Sequence, residues 1–381
     1  MGRPQKGTGN GFAIELLDAI KGYRIQHSGW GAKTILAELI LSERFVNHKL
    51  PSIPTIANYL RYLGLVKAYE PNRPLTNITL QDLTRPHQQW QIDDMGPEIY
   101  EGVGYIGMIN VKDIFSKIYV QTFPVCLEHT RCHPNMSDYQ CALRLSFIKF
   151  GLPEGIQADH GSNFYENKSK SPFPTNLHLW LIALGITFTW SRVHCPTDQG
   201  SVERSHRTTF NQIQRTKTFK NWQQLKEFTD KRRHRLNNNI ACDTINMPPL
   251  VAFPSAIKSN KYFNPLTEHK MIDLQKVYLF LAQQEWFRKV SSAKTVSLAG
   301  QVYYLADAIA NEQVRIKFDI SSQSLFFHNV NERIIKVPIK GISIEKLMGC
   351  PIAKALCPNA QLVIPFEWED IKVSTTLLYR G

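Results

Sequence analysis

Three acidic residues lie in short segments that suit a metal site. Asp93 ends the segment Trp-Gln-Ile-Asp, Asp159 lies within Ile-Gln-Ala-Asp-His-Gly-Ser-Asn-Phe, and Glu203 lies within Pro-Thr-Asp-Gln-Gly-Ser-Val-Glu-Arg. Carboxylate oxygens are the ligands that Mg²⁺ and Mn²⁺ prefer. Two such ions can activate an attacking oxygen and stabilise a leaving 3′ oxygen during an in-line displacement. In a chain with a net charge of +13, these carboxylates indicate phosphodiester chemistry on nucleic acid.

The position of each acid within its predicted element supports this interpretation. Asp93 falls within a predicted strand, where a charged side chain is normally excluded unless it is paired or binds a metal. The alternative is an exposed aspartate on an edge strand. Asp94 must point to the opposite face of the strand, so it is the second choice for the same site. Asp159 ends an apolar strand and enters a glycine-containing turn, which is a frequent site geometry in open α/β sheets.

Glu203 is predicted in the first turn of a basic helix. An acid at this position also has a simpler explanation, because helix N-termini favour negative charge. Residues four, seven and eleven positions later share its helix face, and further residues add charge nearby. We therefore expect this helix to lie along a DNA backbone through its polar and basic residues, which are Arg204, His206, Arg207, Gln214 and Arg215.

Length and charge restrict the class of protein. The 381 residues are too many for one ordinary core and predict two to four domains. Between residues 203 and 235, ten Lys and Arg accompany three Asp and Glu, whereas residues 89–202 are slightly acidic. Basic regions around an acidic one are typical of a protein that contacts phosphates in several places. No run of about 18 apolar residues or signal-peptide core is present, which predicts a cytoplasmic protein with no membrane span.

The seven cysteines include no CxxC pair, which indicates reduced thiols. Cys126, His129, Cys132 and His133 are close enough in sequence to suggest zinc. No second ligand pair stands at zinc-finger spacing, so a structural zinc site is not supported.

The N-terminal region predicts a helix-turn-helix. Residues 11–26 and 33–44 have apolar positions at helical spacing, and a third helix begins at Ser52 and ends near Gly64. Its exposed positions carry Thr55, Asn58, Arg61 and Tyr62, whose side chains can contact phosphates and base edges. A helical hairpin that contacts only protein is the alternative.

The rest of the chain predicts a mixed α/β core followed by β-structure. Short apolar runs and helical patterns from residue 90 onward give the order βββαβαβαα. Short alternating strands after residue 274 predict a small β-barrel. The predicted boundaries are 1–66 for the helix-turn-helix, 67–88 for a linker, 89–245 for the catalytic core, 246–270 for a second linker, 271–345 for a barrel that binds DNA or protein, and 346–381 for a tail.

The three acidic motifs closely resemble those of the DDE transposase and retroviral integrase superfamily. The resemblance covers about residues 89–240. The stretches Gly-Trp-Gly-Ala-Lys-Thr-Ile and Leu-Pro-Ser-Ile-Pro-Thr-Ile also resemble the helix-turn-helix of bacterial insertion-sequence transposases. The family implies a ribonuclease-H-like core, two Mg²⁺ (or Mn²⁺) ions and a multimer on paired element ends. It also implies end cleavage followed by attack of the freed 3′-hydroxyl on target DNA.

The resemblance assigns roles by position. Asp93, Asp159 and Glu203 match the catalytic triad and metal ligands. Ser162 matches a position near target DNA, and Gln199 and Arg207 match positions near the element end. The N-terminal zinc module of retroviral integrases is absent, which favours a bacterial-type transposase. The interval between Asp159 and Glu203 is longer than the family's usual one, and an inserted loop at 166–176 explains the difference.

The sequence therefore predicts an active DNA transposase. Its expected partners are double-stranded element ends and target DNA, further copies of the chain as a dimer or tetramer, and an accessory ATPase or targeting protein. Its expected location is the cytoplasm, in association with a bacterial nucleoid. Two alternatives stay open: a DNA-binding regulator or assembly subunit without turnover, and a nuclease of the same fold that cuts without joining.

Overall fold

The computed structural model describes residues 9, 11–66, 83–127, 132–159, 163–164, 171–191, 206–208, 211, 218–306, 308, 310–328 and 334–349. Among the helices of these residues, none combines the length and the apolar character that crossing a membrane requires. The chain divides into two compact units. The first contains residues 1–86, 94–133 and 196–257, and the second contains 87–93, 134–195 and 258–381.

Three helices form the N-terminal part of the first unit: α1 (Ile14–Gln26), α2 (Ala32–Leu41) and α3 (Ile53–Tyr62). The Ser52 side chain accepts a hydrogen bond from the backbone N–H of Thr55 at 3.4 Å, so α3 begins with the predicted cap. The helices share one apolar core, which contains Leu16, Ile20, Trp30, Ile35, Leu39, Phe45, Ile56, Tyr59 and Leu60. The three predicted helices are confirmed, and their assignment as a helix-turn-helix stays a prediction.

The central sheet has five strands in the order β3-β2-β1-β4-β5, like the mixed sheet of a ribonuclease-H core. The strands β2 and β3 are antiparallel, whereas β4 is parallel to both of its neighbours. Side chains along β2, β3 and β4 are almost continuously buried, as expected when both faces of a sheet are covered. The strands are β1 (Gln89–Tyr100), β2 (Gly104–Asp113), β3 (Tyr119–Cys126), β4 (Gly155–Ala158) and β5 (Thr187–Trp190).

Helix α4 (Met136–Phe150) and helix α5 (Asn176–Ala183) belong to the second unit. A capping box between Asn135 and Asp138 starts α4, because each side chain accepts a backbone hydrogen bond from the other residue. Gly151 ends α4 at a φ of +78°, and a Cβ there would lie 2.6 Å from the carbonyl oxygen of Lys261. Only glycine fits this position without movement of the backbone.

Helix α6 (Trp222–Asn238) packs on β3 within the first unit. The Asn237 side chain accepts from the backbone N–H of Tyr119 at 2.8 Å and donates to its carbonyl oxygen at 2.9 Å. The Trp222 indole N–H donates to the carbonyl oxygen of Pro124 at 3.0 Å. These side-chain bonds fix α6 along the edge strand of the sheet.

A buried ion pair also ties α6 to the N-terminal helices of the first unit. Glu38 in α2 accepts from the Arg232 guanidinium at 2.6 Å, and the two side chains are 6% and 2% exposed. Arg235 contacts the second carboxylate oxygen of Glu38. The Arg232 guanidinium lies over the Trp30 ring, 4.3 Å from its centroid. Burial lowers the pKa of Arg232 to about 10, which leaves it charged at neutral pH.

The second unit has its own buried ion pair. Arg144 in α4 donates to both carboxylate oxygens of Glu268, at 2.7 and 2.9 Å, and to the carbonyl oxygen of Met348 at 2.6 Å. The Trp180 indole N–H donates to Glu268 at 2.8 Å. Because both charges are paired and hydrogen-bonded, their desolvation is compensated.

Residues 246–349 contain short helices and then two small sheets. The strands β6 to β11 form a four-stranded antiparallel sheet in the order β11-β10-β9-β6 and a separate two-stranded hairpin, β7-β8. No strand pairing that closes a barrel occurs in the described residues, so the barrel stays a prediction. The elements are α7 (Pro249–Ala252), two 3₁₀ turns (Pro254–Ile257 and Pro265–Thr267), α8 (Glu268–Met271), α9 (Leu274–Ala282), β6 (Glu285–Lys289), β7 (Thr295–Leu298), β8 (Gln301–Tyr304), β9 (Gln313–Asp319), β10 (Ser324–His328), β11 (Ile334–Pro338) and α10 (Ile344–Met348).

Candidate active site at the end of the central sheet

Two of the predicted catalytic acids lie at matching positions on neighbouring parallel strands. The register of β1 and β4 pairs Gln89 with Gly155 and Gln91 with Gln157. Asp93 and Asp159 each follow the last registered pair by two residues, so the same register, continued past the end of β4, would bring them opposite each other. Parallel strands are about 4.8 Å apart, which is close enough for two such carboxylates to share a cation.

The side chains beneath this pair show which face the acids share. Gln91 donates from Nε2 to Oε1 of Gln157 at 2.9 Å, and both side chains are buried. Side chains two residues apart on a strand lie on the same face. Asp93 therefore continues the face of Gln91. Both Asp93 and Asp159 are half-buried, at the transition from the core to solvent.

The other residues of the Trp-Gln-Ile-Asp motif anchor the strand. Trp90 and Ile92 are fully buried on the face opposite to Asp93. The Trp90 ring stacks on Phe147 of α4 at 6.0 Å, and its indole N–H donates to Nδ1 of His87 at 3.2 Å. In this motif, Trp90 and Ile92 pack in the core and the Gln91 side chain bonds the neighbouring strand. Asp93 supplies the carboxylate.

The segment after Asp159 is held by the start of α4. Asn163 donates from Nδ2 to the carbonyl oxygen of Pro134 at 2.8 Å. Phe164 is buried, and its ring packs against Tyr139 at 4.8 Å and Phe188 at 5.5 Å. The Asn-Phe pair of the second motif therefore fixes the position at which the chain leaves Asp159.

Asp94 has different neighbours from Asp93. Its carboxylate lies 2.9 Å from Nδ1 of His133, and its charge also acts on His206. Burial lowers the pKa of His206 to about 4, and the opposing effect of Asp94 is smaller. With this pKa, His206 is neutral at pH 7, and its predicted place in a helix along DNA stays a prediction.

The predicted ligand set is only partly within the described residues. Asp93 and Asp159 are described, whereas Glu203 lies outside. In the described part of the chain, no group of three or more His, Cys, Asp and Glu side chains is arranged to hold a metal. The two described carboxylates nevertheless fit a hard divalent cation, because they offer oxygen ligands from adjacent strand positions.

The predicted DNA-contact residues divide into three groups. Asn58 and Arg61 are exposed on α3 and Arg207 is exposed on the His206–Thr208 helical segment, whereas Thr55 is half-buried with its hydroxyl 2.8 Å from that of Ser52. Arg61 donates to the amide oxygen of Asn58. The remaining predicted residues lie outside the described part of the chain: Ser162, Gln199, Arg204, Gln214 and Arg215.

Part of the basic region at 203–235 serves the interior. Arg232 and Arg233 are buried, and Arg233 pairs with Asp230 at 2.7 Å. Their charges stabilise the fold and are not exposed to a nucleic acid. The charge count alone therefore overstated the phosphate-binding surface of this region.

The sequence interpretation missed the structural roles of several residues near the site. The Gln91–Gln157 pair was visible as a glutamine at the same offset, two residues before each aspartate. The contact of His133 with Asp94 had no sequence signal, because the two residues are 39 positions apart.

Comparisons with known proteins give fold likenesses to retroviral integrases. No family model matches the sequence. A chain of the simian T-cell lymphotropic virus intasome in complex with PP2A regulatory subunit B56 gamma has a TM-score of 0.38 and 13% identity, over 84% of this chain and 96% of that chain. The HTLV-2 integrase catalytic core domain in complex with magnesium has TM-scores of 0.32 (trimeric form) and 0.30 (dimeric form). Both forms are 16% identical, over 44% and 42% of this chain and 96% and 92% of theirs. At these scores no residue role is transferred, and the site depends on the chain's own geometry.

Proposed function

We propose that this protein is a DDE-type DNA transposase. It binds the ends of a mobile element, cleaves them to free 3′-hydroxyls and joins those ends to target DNA. The observation that carries the proposal is the parallel register of β1 and β4 with its Gln91–Gln157 pair, since Asp93 and Asp159 both follow that pair by two residues. The ordered acidic motifs in a basic chain add independent support from the sequence.

In this proposal, Asp93, Asp159 and Glu203 would hold two Mg²⁺ or Mn²⁺ ions. Such ions supply activation of an attacking oxygen and stabilisation of a leaving oxygen. The chain's own part is to fix its carboxylates in place. Buried Trp90 and Ile92 hold Asp93, and the anchored Asn163 and Phe164 hold the exit from Asp159.

The proposed DNA contacts use separate parts of the chain. Asn58 and Arg61, with Thr55, would contact the element end from α3. Arg207 would contact backbone phosphates beside the acids, together with Gln199, Arg204, Gln214 and Arg215, and Ser162 would lie near target DNA. The proposal includes a homo-oligomer on paired ends and an accessory ATPase or targeting protein as further partners.

The test is a joining assay. Purified protein is incubated with Mg²⁺, a plasmid target and labelled DNA taken from either side of the gene. Joined products support a transposase. Nicks without joining indicate a nuclease of the same fold, and binding without either product indicates a regulator or assembly subunit.

A matched pair of variants tests the site within the same assay. Asp93→Asn should abolish joining, whereas Asp94→Asn should retain it, because Asp94 faces the other side of β1 and contacts His133. Equal losses in both variants would contradict the assignment of Asp93.

A further inference from the structure

The four-stranded sheet of the second unit has two chemically different faces. One face is apolar and buried, and it includes Trp286, Val314, Ile316, Leu325 and Phe327. The other face carries the alternate residues of every strand. Most of those residues are exposed or half-buried, and Ser324 at the end of β10 is buried. Antiparallel sheets commonly cover one face and leave the other in solvent.

The register places the residues of the outer face in rows across the strands. One row is Phe287, Arg315, His328 and Ile334, and the next is Glu285, Lys317, Phe326 and Lys336. Lys289 and Gln313 form a third pair. Directly opposite residues in an antiparallel sheet point to the same side, so cations and aromatic rings alternate on one surface. We name this surface the outer face.

The outer face is net positive. It carries four cations, Lys289, Arg315, Lys317 and Lys336, and two carboxylates, Glu285 and Asp319. Both carboxylates are engaged. Lys317 bonds Glu285 at 2.7 Å, and Ser321 and Ser322 donate to Asp319 at 2.6 and 2.7 Å.

The charges around Glu285 confirm how closely the cations are grouped. The hydrogen bond from Lys317 lowers the pKa of Glu285, and the charges of Lys317, Arg315 and His328 lower it further. Residues from two strands, β9 and β10, therefore act on one carboxylate of β6. A polyanion that covers this face would meet a concentrated positive potential.

Two phenyl rings interrupt the positive charge. Phe287 is 44% exposed. The Lys336 ammonium lies 5.8 Å from the centroid of the Phe326 ring. The rings lie two strands and two residues apart, which is about 12 Å for ordinary strand spacing. Arg315 and Lys317 occupy the strand between them.

We infer that the outer face binds single-stranded nucleic acid. Bases would stack on Phe287 and Phe326, and phosphates would contact Lys289, Arg315, Lys317 and Lys336. Aromatic platforms with interleaved cations suit single strands, because unpaired bases can turn their flat faces to the rings. An intact duplex keeps its bases stacked inside and offers only phosphates to such a surface. The inference rests on the proposed function in one respect, since the proposed cleavage of element ends would supply the single strands.

The test measures binding of a labelled oligothymidylate of twelve nucleotides to the full chain by fluorescence anisotropy, in EDTA. Phe287→Ala and Phe326→Ala should each weaken binding by about fivefold or more, the loss expected for one base stack. Phe287→Trp should retain the affinity of the wild type, because tryptophan also offers an aromatic surface. Tyr304→Ala is the matched control, since Tyr304 is a 62% exposed aromatic residue on the separate hairpin.

The phosphate contacts and the location of the bound strand are tested in separate experiments. Arg315→Gln should reduce the salt slope of single-strand binding by about 0.7, as expected for one lost phosphate contact. Photo-crosslinking with 5-iodouracil in the oligonucleotide should give adducts on β6 and β10. Adducts found only elsewhere in the chain would overturn the inference.

Two further comparisons test the stacking claim and separate it from the proposed function. Equal loss of single-strand and duplex affinity in Phe287→Ala would overturn the stacking claim, as would no loss in either. Asp159→Asn should bind the oligothymidylate like the wild type. If the joining assay fails while base stacking on the outer face is confirmed, the proposed function is wrong and the inference about the outer face is supported. If joining works and no stacking is found, only the inference about the outer face is wrong.

Discussion

The central sheet and the C-terminal sheet expose functional groups in different ways. The central sheet buries almost every side chain of β2, β3 and β4. Its two described candidate ligands, Asp93 and Asp159, lie where β4 ends and β1 continues. The C-terminal sheet buries alternate residues only and presents the others across a whole face. A sheet covered on both sides can offer chemistry only at its ends. A half-covered sheet can offer a broad surface for contact.

The two sheets also differ in how firmly they hold their functional side chains. Acids at the end of a covered sheet are held by buried neighbours, as Asp93 is held by Trp90 and Ile92. Such rigidity suits chemistry, which requires carboxylates in fixed positions. Residues such as Phe287 and Lys289 lie on an open surface and can adjust to a ligand. This comparison predicts large effects from single changes at the central sheet and smaller, graded effects at the outer face.

The largest expected effect is at the end of the central sheet. Asp159→Asn should reduce joining by about a thousandfold or more, because the carboxylate helps to hold ions that stabilise charge in the transition state. DNA affinity measured by electrophoretic mobility shift should stay close to that of the wild type. A variant that joins DNA at the normal rate would remove Asp159 from the site.

The next effect compares the same substitution in α4, which packs against the central sheet, and on the outer face. Phe147→Ala should lower the free energy of unfolding by about 3–5 kcal/mol, because its fully buried ring packs on Trp90 and Trp180. Phe287→Ala should change it by only about 0.5 kcal/mol. Urea unfolding followed by circular dichroism measures both variants. Similar losses in the two would show that the outer face is part of a core.

A smaller effect concerns acid sensitivity. His178 in α5 packs against Phe188, Trp190 and Phe280, and burial lowers its pKa to about 4. The unfolded chain, with a histidine pKa near 6.5, binds this proton more readily, so the stabilisation present above pH 6.5 is lost as the pH falls toward 4. The free energy of unfolding should drop by about 2 kcal/mol from pH 7 to pH 5 on this account.

His178→Leu should remove that part of the pH dependence. Urea unfolding at the two pH values measures it, with His234→Leu on exposed surface as the control. His206 contributes a second loss of the same sign, which both variants retain. An unchanged pH dependence in His178→Leu would show that the pKa of His178 is the same in the folded and unfolded chains.

The smallest effect is at Arg207, the exposed arginine of the predicted basic helix. Arg207→Ala should reduce the salt slope of duplex binding by about 0.9, because one phosphate contact releases its counterion. Lys220→Ala is a suitable control, since Lys220 is also exposed but lies beyond the predicted basic helix. Equal slopes in Arg207→Ala and the wild type would show that this helix does not follow the DNA backbone.

The parts of the fold that local patterns determine could be predicted from the sequence. The three N-terminal helices and the order βββαβαβ of the central region were predicted as they occur, and so was the Ser52 cap. Each depends on residues within a few positions of one another. The predicted strands near residue 274 missed α9, because the apolar run Leu274–Ala282 is too short for its period to distinguish a helix from a strand.

Non-local contacts could not be predicted in the same way. The sequence identified Asp93 and Asp159 by motif, but only the register of β1 and β4 relates their positions in the fold. Glu38 and Arg232 are 194 positions apart, and nothing local marks them as partners. Burial likewise makes His206 neutral, although its residue type suggested charge. Pairing and burial arise from the folded chain and not from composition.

The central claim is that Asp93, Asp159 and Glu203 converge on bound cations. Iron-directed cleavage tests it most directly: Fe²⁺ replaces Mg²⁺, ascorbate and peroxide generate radicals at the bound metal, and mass spectrometry maps the cut peptide bonds. The account predicts cuts near residues 93, 159 and 203 together, suppressed by excess Mg²⁺ and absent in Asp159→Asn. Cuts at only one of these segments, or cuts that Asp159→Asn leaves unchanged, would contradict it.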